Sequence, residues 1–88
     1  MIVELAQLAG WQLHHDRRSD KALQQGDAGF PDLVLAGHGR IIYVELKNER
    51  GRLRPTQERW RDALLAAGAD WRLWRPSDWR EIEVTLTS

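Results

Sequence analysis

The sequence contains no cysteine and no long apolar run, and each absence excludes a class of protein. Without cysteine, neither a disulfide framework nor a metal site built on thiolates is possible. No apolar segment approaches the ~18 residues of a transmembrane helix, and the N-terminal region shows neither the basic start of a secretory signal nor a lipidation motif. These absences predict a cytoplasmic protein that does not associate with a membrane.

A net charge is also missing. Thirteen Lys and Arg residues balance thirteen Asp and Glu residues, whereas a protein that passively coats nucleic acid is normally basic overall. The positive charges are nevertheless concentrated between positions 47 and 61, where only Glu49 and Glu58 oppose them. This cationic strip comprises Lys47, Arg50, Arg52, Arg54, Arg59 and Arg61. It is either a solvated loop and helix face or a surface for an anionic ligand.

The length of the chain limits its core. The 88 residues are expected to form one domain, 1–88, which buries about 65% of the surface that its unfolded chain would expose. Five tryptophans are many for so small a core, and tryptophan belongs mainly to cores and interfaces. We therefore expect a homodimer, in which a second copy covers part of this apolar surface.

Apolar periodicity predicts a helix and then a strand at the start of the chain. Apolar residues from Ile2 to Ala9 follow the spacing i, i+3, i+4 and i+7 of one helix face, and Gly10 then ends the helix. Alternation of apolar and polar residues over 11–16 predicts the strand. The polar segment 17–29 lacks periodicity and is predicted to be a long loop.

The second half of the chain predicts another helix and another strand. Apolar residues over 55–67 keep helical spacing, and Gly68 follows them as a C-terminal stop. Alternation over 71–75, ended by Pro76, predicts a strand. Beyond Pro76 the apolar residues fit a helix by their spacing of three and four, and a strand by their alternation at 82, 84 and 86. The pattern does not decide between the two.

The segment 29–51 reads GFPDLVLAGHGRIIYVELKNERG and predicts a β-hairpin. The runs DLVLA and RIIYVELK are joined by the two-residue turn His38-Gly39, which sets a register with Asp32 opposite Glu45. Because side chains alternate between faces, one face is apolar and suits a core: Leu33, Leu35, Ile42, Val44 and Leu46. The other face carries Asp32, Val34, Tyr43, Glu45 and Lys47.

The register places two carboxylates opposite each other. Their Cβ atoms would lie roughly 5 Å apart, which is unfavourable for like charges unless a cation neutralises them. Oxygen ligands at this spacing suit Mg²⁺ or Mn²⁺. Lys47, two residues after Glu45, adds a positive charge beside the site without taking a ligand position. Taken singly, these residues could form a surface pair and a loop cap; their common position opposite an apolar face favours a metal site.

The same residues resemble a known family. GFPDLVL followed by YVELKNERGRLRPTQ resembles the virus-type replication-repair nuclease (VRR-NUC) family of the PD-(D/E)xK superfamily, and in particular its small stand-alone phage or prophage members. PD at 31–32 and ELK at 45–47 are weak patterns alone. Together with the GRL that follows, and with Gln57 three residues before Trp60, they are specific. The resemblance extends over most of the chain, from the first helix to WRPSDW.

The resemblance implies a fold and a metal site. The fold is the restriction-endonuclease-like α/β core, αβββαβ, with a mixed central sheet flanked by helices. In such proteins the aspartate of PD and the glutamate of ExK hold the metal together with the backbone carbonyl between Glu and Lys. These ligands would be Asp32, Glu45 and Leu46. Lys47 would orient or deprotonate the attacking water and stabilise negative charge on the scissile phosphate.

The resemblance also assigns residues on two helices. The glutamine of the second helix, Gln57, would lie beside the site. A glutamate of the first helix often completes the acidic cluster, and Glu4 is the candidate. The family usually has Ser or Thr before the proline of the second helix as an N-cap. Arg54 stands there instead, which weakens the cap by about 1 kcal/mol without affecting a catalytic residue.

Residues and resemblance together predict a Mg²⁺- or Mn²⁺-dependent DNA endonuclease that needs no organic cofactor. A metal held by two carboxylates can polarise a phosphoryl oxygen and provide a nucleophilic water near neutral pH. The loop after Lys47 would hold the phosphate backbone whatever the base sequence. The candidates for DNA contacts are Arg50, Arg52, Arg54, Arg17 and Arg18.

The expected partners are DNA and a second copy of the chain. Stand-alone members of the family resemble homodimers that act on branched DNA such as four-way (Holliday) junctions. A DNA-binding module could instead keep the nuclease fold without catalysis, although intact Asp32, Glu45 and Lys47 count against it. A third alternative is the nuclease subunit of a helicase or replication-repair complex, which the neutral net charge permits.

Overall fold

A computed structural model describes residues 1–16 and 26–88 of the protein. In chain order, the elements are α1 (Ile2–Leu8), β1 (Gln12–His15), β2 (Leu33–Gly37), β3 (Arg40–Leu46), α2 (Pro55–Ala66), β4 (Asp70–Trp74), a 3₁₀ turn (Pro76–Asp78) and α3 (Trp79–Thr87). The predicted order αβββαβ is confirmed, and the tail is a helix. Arg17, Arg18 and most of the predicted loop 17–29 lie outside the described residues.

The four strands form one mixed sheet in the order β1-β2-β3-β4. The first two pairings are antiparallel, and β3 and β4, which α2 connects, are parallel. The predicted hairpin register is confirmed, with the pairs Leu33–Val44, Leu35–Ile42 and Gly37–Arg40. Both turn residues have positive φ, 53° at His38 and 78° at Gly39, as a two-residue type I′ turn requires.

The core lies on the apolar face of the hairpin, under α1 and α3. Four hairpin residues are completely buried: Leu33, Leu35, Ile42 and Val44. Two of the five tryptophans join them, since Trp11 is 5% exposed and Trp74 1%. The indole N–H of Trp11 donates to the carbonyl of Leu86 at 2.9 Å, which fixes the end of α3 to the start of β1.

Burial explains why the tail is a helix. Ile82 and Leu86 are 1% and 0% exposed, whereas Val84 is 60% exposed. In a helix, residues four apart lie on the same side, and the residue midway between them points away. Ile82 and Leu86 therefore pack in the core while Val84 faces solvent, and the alternation at 82, 84 and 86 does not reflect a strand. No helix in the described part of the chain is long and apolar enough to cross a bilayer.

The opposite face of the sheet receives α2 and the segment that leads into β2. Phe30 lies between the two layers, with its ring edge-on to Tyr43 of β3 at 6.1 Å and to Trp60 of α2 at 5.0 Å. Gly29 has φ +95°, and a Cβ there would lie 2.5 Å from the backbone carbonyl of Thr56. The close approach at Gly29 therefore places the first turn of α2 directly beside the segment that carries Asp32.

Replacing Gly29 by alanine tests this close approach, with Gly68→Ala as the matched control. Gly68 also has a positive φ, of 82°, but nothing lies within 4 Å of a Cβ at that position. We expect Gly68→Ala to cost about 1–2 kcal/mol of stability because of the backbone conformation alone. Gly29→Ala adds a backbone clash and should cost roughly 3 kcal/mol or more. Urea denaturation measures both, and equal losses would contradict the close approach.

Candidate active site

Asp32 immediately precedes β2 and is fixed by bonds to both neighbouring strands. Its main-chain carbonyl accepts a hydrogen bond from the N–H of Asp16 at 2.8 Å. Its carboxylate oxygen Oδ2 accepts one from the N–H of Leu46, also at 2.8 Å. The β2–β3 register, continued by one residue, puts Asp32 opposite Glu45. The side chain is thus held at the end of β3, where the ELK motif lies.

Glu45 is a buried carboxyl group. The residue is 2% exposed, on the face of β3 opposite the apolar core. Its Oε2 accepts a hydrogen bond from the Gln57 amide Nε2 at 3.0 Å and lies 3.9 Å from the Lys47 ammonium nitrogen. Four of the residues that the sequence assigns to the site, Asp32, Glu45, Lys47 and Gln57, are therefore brought together.

Burial controls the protonation of Glu45. Loss of hydration, followed by the charge of Asp32 and a hydrogen bond between the two carboxyl groups, raises the pKa of Glu45 to about 8. The Lys47 ammonium acts in the opposite direction but is outweighed. In the metal-free protein, the Glu45 carboxyl group is therefore mainly protonated at neutral pH. A bound cation would replace that proton.

Gln57 is oriented by a second bond. Its Oε1 accepts a hydrogen bond from the main-chain N–H of Arg54 at 2.8 Å, just before the first turn of α2. With the carbonyl oxygen used there, the amide N–H₂ is directed at Glu45. The side chain of Arg54 makes no capping hydrogen bond, as expected. The Gln57 side chain instead accepts a hydrogen bond from the main-chain N–H at the start of the helix. Capping and the active site thus depend on one amide.

Lys47 is held along its length. Its main-chain N–H donates to the carbonyl of Trp74 at 3.1 Å, which continues the pairing of β3 with β4. The side chain is 17% exposed, and a Cβ at Gly51 would lie 3.3 Å from its Cδ. The ammonium group is therefore confined between Glu45 and the loop that follows β3.

Arg75 organises that loop and was missed by the sequence analysis. Its Nη1 donates to the carbonyls of Asn48 and Gly51, both at 2.7 Å, and lies 3.4 Å from that of Glu49. Glu49 in turn accepts a bond from the Ser77 hydroxyl at 2.9 Å. The parallel pairing could have indicated this contact, because it brings the residues that follow β3 and β4 to the same edge.

The cationic strip is largely exposed to solvent. Arg50, Arg52 and Arg54, the predicted DNA contacts, all present exposed side chains, and the first two lie on the loop held by Arg75. Arg61, further along α2, donates to Asp62 at 2.9 Å. The arginines of the loop thus follow directly after Lys47 and are accessible to an anionic ligand. A role of these arginines in DNA binding stays a prediction.

Glu4 is not brought to the acidic pair. Its carboxylate pairs with the N-terminal ammonium and is 70% exposed, and this contact lowers its pKa. Across residues 1–16 and 26–88, no group of three or more His, Asp or Glu side chains is placed to hold a metal ion. A catalytic part for Glu4 stays a prediction that no contact of its side chain supports.

Two carboxylates nevertheless fit a hard divalent cation. Mg²⁺ usually takes only one or two protein carboxylates and keeps several waters, so a third acidic side chain is not required. Burial, and then the charge of Asp32, raise the pKa of Glu45, so the site favours a neutralised carboxyl group over an isolated negative charge. Asp32 and Glu45 are thus the residues that would hold the metal; the Leu46 carbonyl as third ligand stays a prediction.

The pH dependence of stability tests the buried carboxyl group. Because the pKa of Glu45 rises from 4.5 to about 8 on folding, the folded state binds more protons than the unfolded state between those values. We therefore expect the free energy of unfolding of the metal-free protein to fall as pH rises from about 4.5 to 8. Glu45→Gln, which cannot titrate, should lose less stability over that range.

The control for this measurement is Glu58→Gln, which removes an exposed carboxylate of α2. Urea denaturation in the presence of a chelator gives the free energy of unfolding at each pH. The difference between wild type and Glu45→Gln should change across the window, while that between wild type and Glu58→Gln stays nearly constant. Parallel curves for wild type and Glu45→Gln would contradict the raised pKa.

Comparisons with known proteins identify the fold and the family of the chain. A solved structure described as "VRR_NUC domain protein" has a TM-score of 0.63 and 19% sequence identity; the match covers 94% of this chain and 79% of that chain, and shows a shared fold. A search of curated proteins found no match. The model of the VRR-NUC domain family matches residues 5–77, which is most of the chain. The chain therefore belongs to the VRR-NUC family of nuclease-type domains.

Proposed function

We propose that the protein is a Mg²⁺- or Mn²⁺-dependent endonuclease that hydrolyses phosphodiester bonds in structured DNA. The observation that carries the proposal is a buried Glu45 beside Asp32, with the Lys47 ammonium 3.9 Å from the glutamate. Burying a carboxyl group next to another destabilises a small domain, and such perturbed groups are concentrated at functional sites. A catalytic cation site is such a site.

Asp32 and Glu45 would hold the cation, and each is already oriented by the fold. The N–H of Leu46 fixes Asp32, and the amide of Gln57 fixes Glu45. When bound, the cation supplies a Lewis acid that polarises a phosphoryl oxygen and makes water more acidic. The Glu45 carboxyl group must lose its proton to take part, so activity should rise with pH.

Lys47 is the residue proposed to act on the reacting groups. An ammonium group has three donors and can contact both the attacking water and a phosphate oxygen. Its place between Glu45 and Gly51 limits the positions that the group can reach. Pre-orientation of this kind stabilises the charge that develops on the phosphate without reorganisation during the reaction.

The strip beyond Lys47 is proposed to bind the DNA backbone. Arg50 and Arg52 lie on the loop held by Arg75, next to the acidic pair, and are exposed. Contacts of this type position DNA but do not read its sequence. The overall neutral charge then limits non-specific binding elsewhere on the surface. The role of Arg17 and Arg18 is proposed on their charge alone.

A homodimer acting in the cytoplasm on branched DNA, including four-way junctions, completes the proposal. Large apolar side chains remain exposed, among them Leu8 at 87%, Ile41 at 52% and Leu65 at 50%, and a second copy of the chain would cover part of this surface. A two-fold axis would offer two equivalent sites to two strands. Sedimentation at micromolar concentration gives the mass, and a monomer would favour instead a subunit of a helicase or replication-repair complex.

Metal-dependent cleavage is the direct test. We expect a panel of structured DNAs to be cut in Mg²⁺ or Mn²⁺ and not in a chelator, and Asp32→Asn to be inactive. The asparagine side chain keeps an oxygen that can accept a hydrogen bond from the N–H of Leu46, so the variant should fold. Mn²⁺ should raise the melting temperature of wild type but not of Asp32→Asn. Cleavage in a chelator, or full activity of Asp32→Asn, would remove the metal-site assignment.

Substitution of Lys47 should reduce cleavage, whereas substitution of the loop arginines should reduce DNA binding. Lys47→Ala is expected to lose cleavage by ~100-fold or more while it binds DNA nearly as well as wild type. Replacing Arg50, Arg52 and Arg54 together should weaken binding to every sequence and reduce the salt slope of log K by up to about 3 for duplex DNA. Binding is measured in Ca²⁺ and cleavage in Mg²⁺ on one substrate.

The control for the arginines is Arg80→Ala, which removes an exposed arginine of α3 outside the strip. This variant should keep the wild-type affinity and salt slope. Normal cleavage by Lys47→Ala would contradict the catalytic role of Lys47. Binding of the triple variant with the same affinity and salt slope as Arg80→Ala would contradict the DNA-binding role of the loop arginines.

A further inference from the structure

An apolar pocket adjoins the acidic pair on the far side of β3. Its volume is about 350 Å³. The buried side chains of Trp74 and Ile82 form its floor, with Leu46 beside them, and Pro76 and Trp79 form its exposed rim. Lys47 is part of the lining. The same residue reaches the acidic pair, since its ammonium group lies 3.9 Å from the Glu45 carboxylate.

The character of the lining restricts what can occupy the pocket. The described residues that line it are apolar apart from Lys47, Arg75 and the N-terminal ammonium of Met1, which is paired with Glu4. The Arg75 Nη1 is engaged with backbone carbonyls, so Lys47 is the cation left for a ligand. The surface thus suits a flat apolar group that carries an anion on the Lys47 side. A nucleotide has this combination.

The size of the pocket favours a base over a protein. Its volume lies near the lower end of small-molecule pockets, which span roughly 300–1,000 Å³. A stable protein interface needs about 800 Å² from each partner, far more than such a pocket offers. Trp79, 38% exposed at the start of α3, is the kind of aromatic surface on which single-stranded bases stack.

We propose that this pocket accepts one unstacked nucleobase of the DNA, next to the phosphate that Lys47 contacts. The inference rests on the proposed nuclease function and gives a reason for a preference for structured DNA. Taking a base out of a duplex costs free energy, and this cost is smallest where the base is already unpaired. Branch points and single-stranded ends provide such bases, so the pocket selects them without reading their sequence.

The test combines a change in the protein with a change in the DNA. One branched substrate is made with its natural nucleotides, and two others carry an abasic residue on either side of the cleaved bond. Wild type, Trp79→Ala and Trp79→Phe are compared, with Val84→Ala as the control, because Val84 is an exposed apolar residue of the same helix outside the pocket.

The two changes should not be additive. In wild type, removal of the base that occupies the pocket should slow cleavage by about tenfold or more, and Trp79→Ala should cause a similar loss with the natural substrate. Removing the same base should have no further effect on Trp79→Ala. Trp79→Phe keeps a stacking surface and should retain most of the activity, and Val84→Ala should match wild type.

Three results would overturn the proposal. The losses could be additive, Trp79→Ala could behave like Val84→Ala, or Trp79→Ala could change the sedimentation mass, which would assign the pocket to a second copy of the chain. Binding of DNA that carries 2-aminopurine, measured in Ca²⁺, separates this inference from the nuclease function. Quenching by wild type but not by Trp79→Ala supports the pocket even if no cleavage occurs, and equal quenching by both contradicts it.

Discussion

Two carboxyl groups lie side by side at the end of β3, and one of them is almost out of contact with water. The free-energy cost of this arrangement is seen in the pKa of Glu45, which burial and the neighbouring Asp32 raise to about 8. The rest of the site offsets that cost: an N–H from Leu46, an amide from Gln57 and the ammonium of Lys47. Each of these groups also belongs to a structural element, so the active site and the fold are not separable.

The hairpin was predictable because its information is local. The pair His38-Gly39 allows one kind of tight turn, and the period of two in the flanking strands fixes which side chains share a face. The pairing of Leu35 with Ile42 then places Asp32 near Glu45 without any knowledge of the remaining chain. The family resemblance added Gln57, whose part depends on a helix packed from the other side of the sheet.

Other features were not predictable, because they depend on contacts between distant segments. Arg75 holds a loop more than twenty residues earlier in the chain, and only the parallel pairing of β3 with β4 brings them together. The tail was ambiguous because Val84 is apolar yet exposed, so the sequence pattern alone could not exclude a strand. Glu4 was assigned by resemblance, and its position in α1 leaves it beside the N-terminal ammonium.

The order of elements along the chain has a consequence for when the site becomes complete. Asp32 and Glu45 meet through a hairpin closed over a short loop, which is a fast and local event in folding. Gln57, Trp74 and Arg75 arrive only after α2 and β4 have joined the sheet. The hairpin alone thus contains the acidic pair and the N–H of Leu46 that binds Asp32, but lacks the Gln57 amide that binds Glu45. The arrangement proposed for cleavage is therefore complete only when the whole sheet and α2 are in place.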